Sequence, residues 1–160
     1  MFLCYYEKER KNMDNKLTLN IVVANAMEAM EFYENVFDAK RGDVFHFPDK
    51  EGVNEVNITV GNVELRLIDE NASYNCYPPK KDEVDSIWLQ MIVDDTEAVL
   101  KRAIENGASI GQEVSEFMGT KYAEIIDPFG YTWTINQIIR EVSYEERYQF
   151  YVEQHESADK

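Results

Sequence analysis

With 160 residues, 44% hydrophobic and 29% charged, the chain can bury one sizeable core and is too short for two ordinary domains. Its 31 acidic residues against 16 basic ones would repel a phosphate backbone or an anionic membrane surface, which argues against nucleic-acid and lipid-surface partners. The acids are scattered, so their plain consequence is solubility.

Two cysteines, Cys4 and Cys76, have neither zinc-pair nor disulfide-framework spacing, which fits a reducing compartment. The opening MFLCYY turns charged after a few residues, and no run approaches the roughly 20 apolar residues of a membrane helix, so a cytoplasmic location is expected. Met13 stands just ahead of the first strand, which marks residues 1–12 as an upstream start or a frayed segment within an N-terminal extension over 1–15.

Residues 17–24 (LTLNIVVA) read as a strand leading into Asn25, a helix N-cap with Glu28 three positions on. In the helix that follows, Ala26, Met30, Tyr33 and Phe37 form the buried stripe. Strand-like runs follow at 43–47, 54–60 and 63–69, the last two joined by Gly61-Asn62, a dipeptide suited to a tight hairpin turn. Residues 70–84, with consecutive prolines and clustered polar residues, break any ladder and form a linker.

The order then restarts. A strand at 86–93 meets Asp94-Asp95, a helix runs through Asn106 with Val99, Leu100, Ala103 and Ile104 inward, and Gly107 takes the C′ position. Strands at 109–115, 120–126 and 131–137 follow, the last two joined by Asp127-Pro128-Phe129-Gly130. The chain is therefore read as α+β, two βαβββ modules over 16–70 and 85–138 in one domain spanning 16–140. Over 141–160, Ser143 and Glu146 make a capping box for a C-terminal helix with Tyr144, Tyr148 and Tyr151 on one face.

Two segments carry a resemblance. VVANAMEAMEFYENVFDAK is similar to the opening strand and helix of the vicinal oxygen chelate (glyoxalase/bleomycin resistance/dioxygenase) superfamily, and IIDPFGYTWTI resembles the DPFG hairpin and tryptophan-bearing last strand of its PhnB-like branch, where a histidine often replaces Tyr131. The resemblance covers about residues 16–143 and implies a curled mixed sheet forming a cup, with helices on its convex side. It further implies a divalent metal held by four His or Glu side chains, at places that fall on Thr18, Glu64, Gln90 and Thr134.

Hydroxyl and amide oxygens bind Zn²⁺, Ni²⁺ or Mn²⁺ poorly, so of these four only Glu64 is suited to a metal. His46 and His155 lie elsewhere, and a carboxylate set of Glu55, Glu64 and Glu124 would suit only oxygen-preferring ions. Alternation along the strands turns Leu17, Leu19, Ile21 and Val23 toward the helices. Thr18, Asn20, Glu55, Asn57, Glu64, Arg66, Trp88, Gln90, Tyr122, Glu124 and Thr134 then share the cup face as candidate ligand-binding residues, with Trp88 and Tyr122 as apolar wall and Arg66 as anion partner. The plainer alternative is that this face is the wet side of an antiparallel sheet, against which the two large aromatics and the lone cation favour a pocket.

The expectation is a glyoxalase-like homodimer that binds a small organic molecule without a catalytic metal. The alternative is a divalent-metal-dependent lyase, isomerase or transferase of the glyoxalase type, with Glu64 or Glu124 as ligand or base. A third reading places the function on the tyrosine-bearing C-terminal helix as an interaction surface.

Overall fold

In a computed structural model, residues 17–48, 54–80 and 87–158 are described, with side chains to residue 153. The extension over 1–15, with Cys4 and Met13, and the His155 side chain lie outside them. Strand β1 (Leu19–Val23) runs into Asn25, whose carboxamide oxygen accepts from the backbone N–H groups of Met27 (3.0 Å) and Glu28 (3.2 Å). These are two of the donors that a helix start leaves unmatched. Helix α1 (Ala26–Phe37) gains a further acceptor in Asp69, buried at the end of β4 (Val63–Asp69), which takes the Ala26 N–H at 2.5 Å and the Asn54 N–H at 2.7 Å. One carboxylate thus fastens the helix start to the first residue of β3 (Asn54–Val60).

The first sheet has the order β1-β4-β3-β2, with β2 spanning Lys40–His46. Strands β1 and β4 are parallel, Leu19 opposite Leu65 and Asn20 opposite Arg66, and the other pairs are antiparallel. The second sheet repeats the plan as β5-β8-β7-β6, from β5 (Leu89–Ile92), α2 (Thr96–Glu105), β6 (Ser109–Phe117), β7 (Thr120–Ile126) and β8 (Thr132–Ile138). Asp95 caps α2 through the Ala98 N–H (3.0 Å), and Gln137 at the end of β8 accepts from Thr96 (3.3 Å), the place that Asp69 holds in the first module. Helix α2 ends in a Schellman motif: Gly107 is left-handed at φ 97°, its N–H reaches Ile104 O, and the Ala108 N–H reaches Ala103 O, both at 3.0 Å.

The two βαβββ modules form two four-stranded sheets that do not close on one another, with helices against one face of each. Ala26, Met30, Tyr33 and Phe37 are all buried, as the periodicity predicts. Their neighbours carry the core across the module boundary: Phe129 lies 6.0 Å from Phe32 and 6.2 Å from Tyr33, and Trp133 lies 4.5 Å from Phe37. Beside them Asp127, the first residue of the DPFG turn, is buried and accepts four hydrogen bonds. The donors are the Tyr33 hydroxyl (2.6 Å), Trp133 Nε1 (3.0 Å) and the backbone N–H groups of Phe129 and Tyr131 (2.9 Å each). Burial pushes its carboxyl above the ordinary range, and burial together with the Asp127 charge pushes the Tyr33 phenol well up.

Several sequence readings shift. Leu17 does not face the helices; it precedes the ladder and is 82% exposed. Ile104 is 37% exposed at the end of α2, while Thr96, the first residue of that helix, is fully buried. Strand β2 begins at Lys40, ahead of the predicted 43, β6 reaches Phe117, and β5 is shorter than the run 86–93. The linker carries a short 3₁₀ turn at Ala72–Tyr74. No helix among the described residues is long and apolar enough to cross a membrane.

Helix α3 (Tyr144–Ala158) starts at the predicted cap, Ser143 Oγ accepting the Glu146 N–H at 3.1 Å, but the Glu146 carboxylate pairs with Arg140 at 2.6 Å rather than returning to the cap. Tyr144, Tyr148 and Tyr151 are exposed, and Phe150 holds the helix to the sheet through Phe117, 5.2 Å away.

Candidate functional site

The helix-free face of each sheet is a ladder of rows, a polar one at the centre and a mixed one beside it. Strand register places Asn20 beside Arg66 and Arg66 beside Asn57 across the first sheet, and Gln90, Thr134, Glu124 and Gln112 in one row across the second. Glu55, Ile68 and Val22 make the next row of the first sheet, and Tyr122, Asn136 and Ile92 that of the second. Strand register thus puts Asn20, Asn57 and Arg66 on one row of the first sheet and Gln90, Glu124 and Thr134 on one row of the second, while Thr18 and Trp88 lie outside the ladders. Parity reasoning missed Gln112, because β6 carries two bulges that break the alternation around it. Gly111 inside that run was the available signal.

Arg66 is not a cation awaiting an anion, as the sequence suggested. Its Nε lies 3.4 Å from Asn57 Oδ1 and its Nη1 3.9 Å from Glu55 Oε2, both side chains being largely covered. Glu64 borders an open depression of 480 Å³ with Leu17, Leu19, Thr59, Asn62 and Val63. On the second sheet Trp88 is 73% and Ile92 61% exposed, so the aromatic wall expected there faces open space. Glu124 is half-buried and packs over Gly111, where an added Cβ would stand 2.8 Å from Glu124 Oε1. In the row beside it Asn136 Oδ1 is buried without a hydrogen-bond partner.

Thr18, Glu64, Gln90 and Thr134 do not form a symmetric quartet. Counted back from the N-caps Asn25 and Asp95, Gln90 corresponds to Asn20, and its parallel partner Thr134 corresponds to Arg66, whereas Thr18 lies two residues further out. At the level of Gln90 and Thr134 the donors are thus Asn20, Arg66, Gln90 and Thr134: two amides, a hydroxyl and a guanidinium that repels a cation. One level outward Trp88 enters. Neither set fits a divalent metal, and no group of three His, Cys, Asp or Glu among the described residues could hold one.

The two modules are tied to each other by the Tyr131 hydroxyl, which accepts from the Val22 N–H (3.0 Å) and donates to the Val22 C=O (2.9 Å). Burial holds that phenol up at about 12. The sequence profile of the glyoxalase/bleomycin resistance protein/dioxygenase superfamily matches residues 17–135. The chain belongs to this superfamily.

An uncharacterized protein of Mycobacterium bovis is 25% identical over 139 residues, covering 84% of this chain and 91% of the relative. Among solved structures, a PhnB protein from Bacillus cereus, described as a putative 3-demethylubiquinone-9 3-methyltransferase, superposes with TM-score 0.61 at 19% identity, over 77% of this chain and 99% of that one. The fosfomycin resistance protein FosX of Listeria monocytogenes, in complex with Mn(II) and sulfate, gives 0.58 at 12% identity, over 85% and 98%. At these identities the structural likenesses establish the superfamily fold, two βαβββ sheets with their helices.

Proposed function

We propose that the chain is a small-molecule-binding protein of the PhnB-like branch of the superfamily, acting in the cytoplasm without a catalytic metal and as a homodimer. Asn20, Asn57 and Arg66 on one sheet face and Trp88, Gln90, Tyr122, Glu124 and Thr134 on the other contact the ligand.

The observation that carries this reading is the composition of the central rows. The Listeria FosX structure is a complex with Mn(II) and sulfate, whereas the central rows here carry amide, hydroxyl and guanidinium groups with Glu124 as their one carboxylate. Such groups hydrogen-bond and stack on an organic molecule. The exposure of Trp88 and Ile92 on an uncovered face supports the dimer, since a second copy would cover apolar surface that a monomer leaves in water.

The test is metal analysis of the dialysed protein with native mass spectrometry and sedimentation. The expected result is a dimer with substoichiometric metal. Stoichiometric Mn, Zn or Ni surviving dialysis would overturn the metal-free reading in favour of a metal-dependent lyase, isomerase or transferase, and a monomer at micromolar concentration would overturn the dimer.

A further inference from the structure

A strand at the end of a sheet keeps half of its backbone groups pointing away from the ladder, and the two modules treat these groups differently. Pairing of β5 with β8 turns Met91 and Val93 inward, as the bond from the Val93 N–H to Asn136 O at 2.8 Å shows, so Gln90 and Ile92 present their N–H and C=O groups outward. Counted from the helix caps, Ile92 corresponds to Val22 of β1, whose outward groups are both taken by the Tyr131 hydroxyl. Val63 stands in the place of Tyr131, preceding Arg66 by the same three positions as Tyr131 precedes Thr134, and a valine side chain has nothing to donate or accept. Among the described residues, none bonds the outward groups of Gln90 or Ile92.

The two remaining outer strands are guarded by other means. Strand β2 carries Lys40, Arg41 and Asp43 with a bulge between Arg41 and Val44, and β6 carries Glu113 and Glu116 with two bulges, features that turn a further strand away. Strand β5 has a regular ladder, and residues 87–93 (IWLQMIV) hold no charge in a chain of net charge -15. Copies of so acidic a chain repel one another over most of their surface, and this edge is a stretch along which two can approach. Trp88, Gln90 and Ile92 are all exposed beside it.

Resting on the homodimer reading above, we propose that the dimer forms by antiparallel pairing of β5 with the β5 of a second copy, about a two-fold axis at Gln90. In that register Gln90 lies opposite the partner's Gln90 and Ile92 opposite the partner's Trp88 on the open face, so the exposed apolar side chains cover one another. Moving the axis to Met91 would set Trp88 against the partner's Asp94, an indole beside a carboxylate. Because both copies use the same edge, the assembly closes as a dimer. The row of Gln112, Glu124, Thr134 and Gln90 then runs on into the partner's Gln90, and the ligand-binding face of each second sheet gains a residue from the other copy.

The test is a cysteine placed on the axis. Directly opposed residues that exchange backbone bonds in antiparallel strands stand about 5.5 Å apart at Cα, inside the range that a disulfide spans. Gln90→Cys, in a chain with Cys4→Ser and Cys76→Ser, is therefore expected to give a covalent dimer on mild oxidation that reductant reverses, while Asn20→Cys, at the counterpart position of β1, gives none. In the unmodified chain the Gln90 and Ile92 amides should exchange with deuterium about tenfold more slowly in the dimer than after dilution to the monomer, the protection of newly formed hydrogen bonds. A dimer in sedimentation that neither cross-links at position 90 nor protects these amides overturns β5 pairing and leaves the homodimer reading standing. A monomer at micromolar concentration overturns both. The exchange measurement decides the matter even if the cysteine variant misfolds.

Discussion

Asp127 gathers four donors in the interior, and one of them, the Tyr33 hydroxyl, reaches it from the other module. Tyr33→Phe keeps the ring contacts with Trp133 and Phe129 and removes only the hydroxyl, so denaturant unfolding should show a loss of about 1–3 kcal/mol. An unchanged midpoint would mean that the bond contributes nothing net. The carboxyl itself titrates above its ordinary value. The folded state therefore binds this proton more tightly than the unfolded chain, and the contribution is full below the unfolded value of roughly 3.9 and lost as pH rises through the folded one. Asp127→Asn should abolish that fall in stability above about pH 4. Parallel stability-pH curves for variant and parent would refute the assignment. The sequence marked Asp127 as a turn residue; its burial depended on where Tyr33 and Trp133 would lie, which local chemistry does not state.

Among elements, the helices were the most legible because their signals are local. Asn25, Asp95 and Gly107 each do in space what their chemistry specifies in sequence. The β6–β7 hairpin was not read as a turn, since Met118-Gly119 pairs a bulky residue with a glycine, yet both take left-handed φ, 48° and 74°. At Gly119 a Cβ would also meet Arg140 O at 2.6 Å. Gly119→Ala should thus cost about 1–3 kcal/mol in thermal unfolding, more than Gly61→Ala, where the nearest atom is the flexible Met91 tip at 3.9 Å. Equal losses would show that backbone conformation alone sets the cost. Helix α3 is joined to the sheet chiefly through Phe150, so deleting 144–160 should leave the melting temperature of the two modules within a few degrees. A large drop would assign α3 to the core.

For the whole molecule, the duplicated βαβββ plan was legible because each module repeats strand, cap and amphipathic helix in order. Which residues share a face followed from parity, but their level across the sheet did not. Thr18 and Gln90 were read as counterparts, but counting back from the caps Asn25 and Asp95 puts them two residues out of step, and the parallel register of β1 with β4 and β5 with β8 then matches Thr134 to Arg66 in place of Glu64. A one-face pattern carries no information about offset along the strand, so any quartet inferred from it inherits that ambiguity. The bulges in β2 and β6 hid the outer rows for the same reason.

The Tyr131 hydroxyl on Val22 has one more effect. Strand β1 ends its sheet, and an edge strand with free backbone groups is a template for adding further chains into a growing fibril. A single phenol occupies both the donor and the acceptor of Val22, so an incoming strand would have to displace it before pairing at that residue. Tyr131→Phe, which keeps the ring and frees the edge, is expected to shorten the lag of thioflavin-positive aggregation on agitation. An unchanged lag would show that propagation starts elsewhere on the chain.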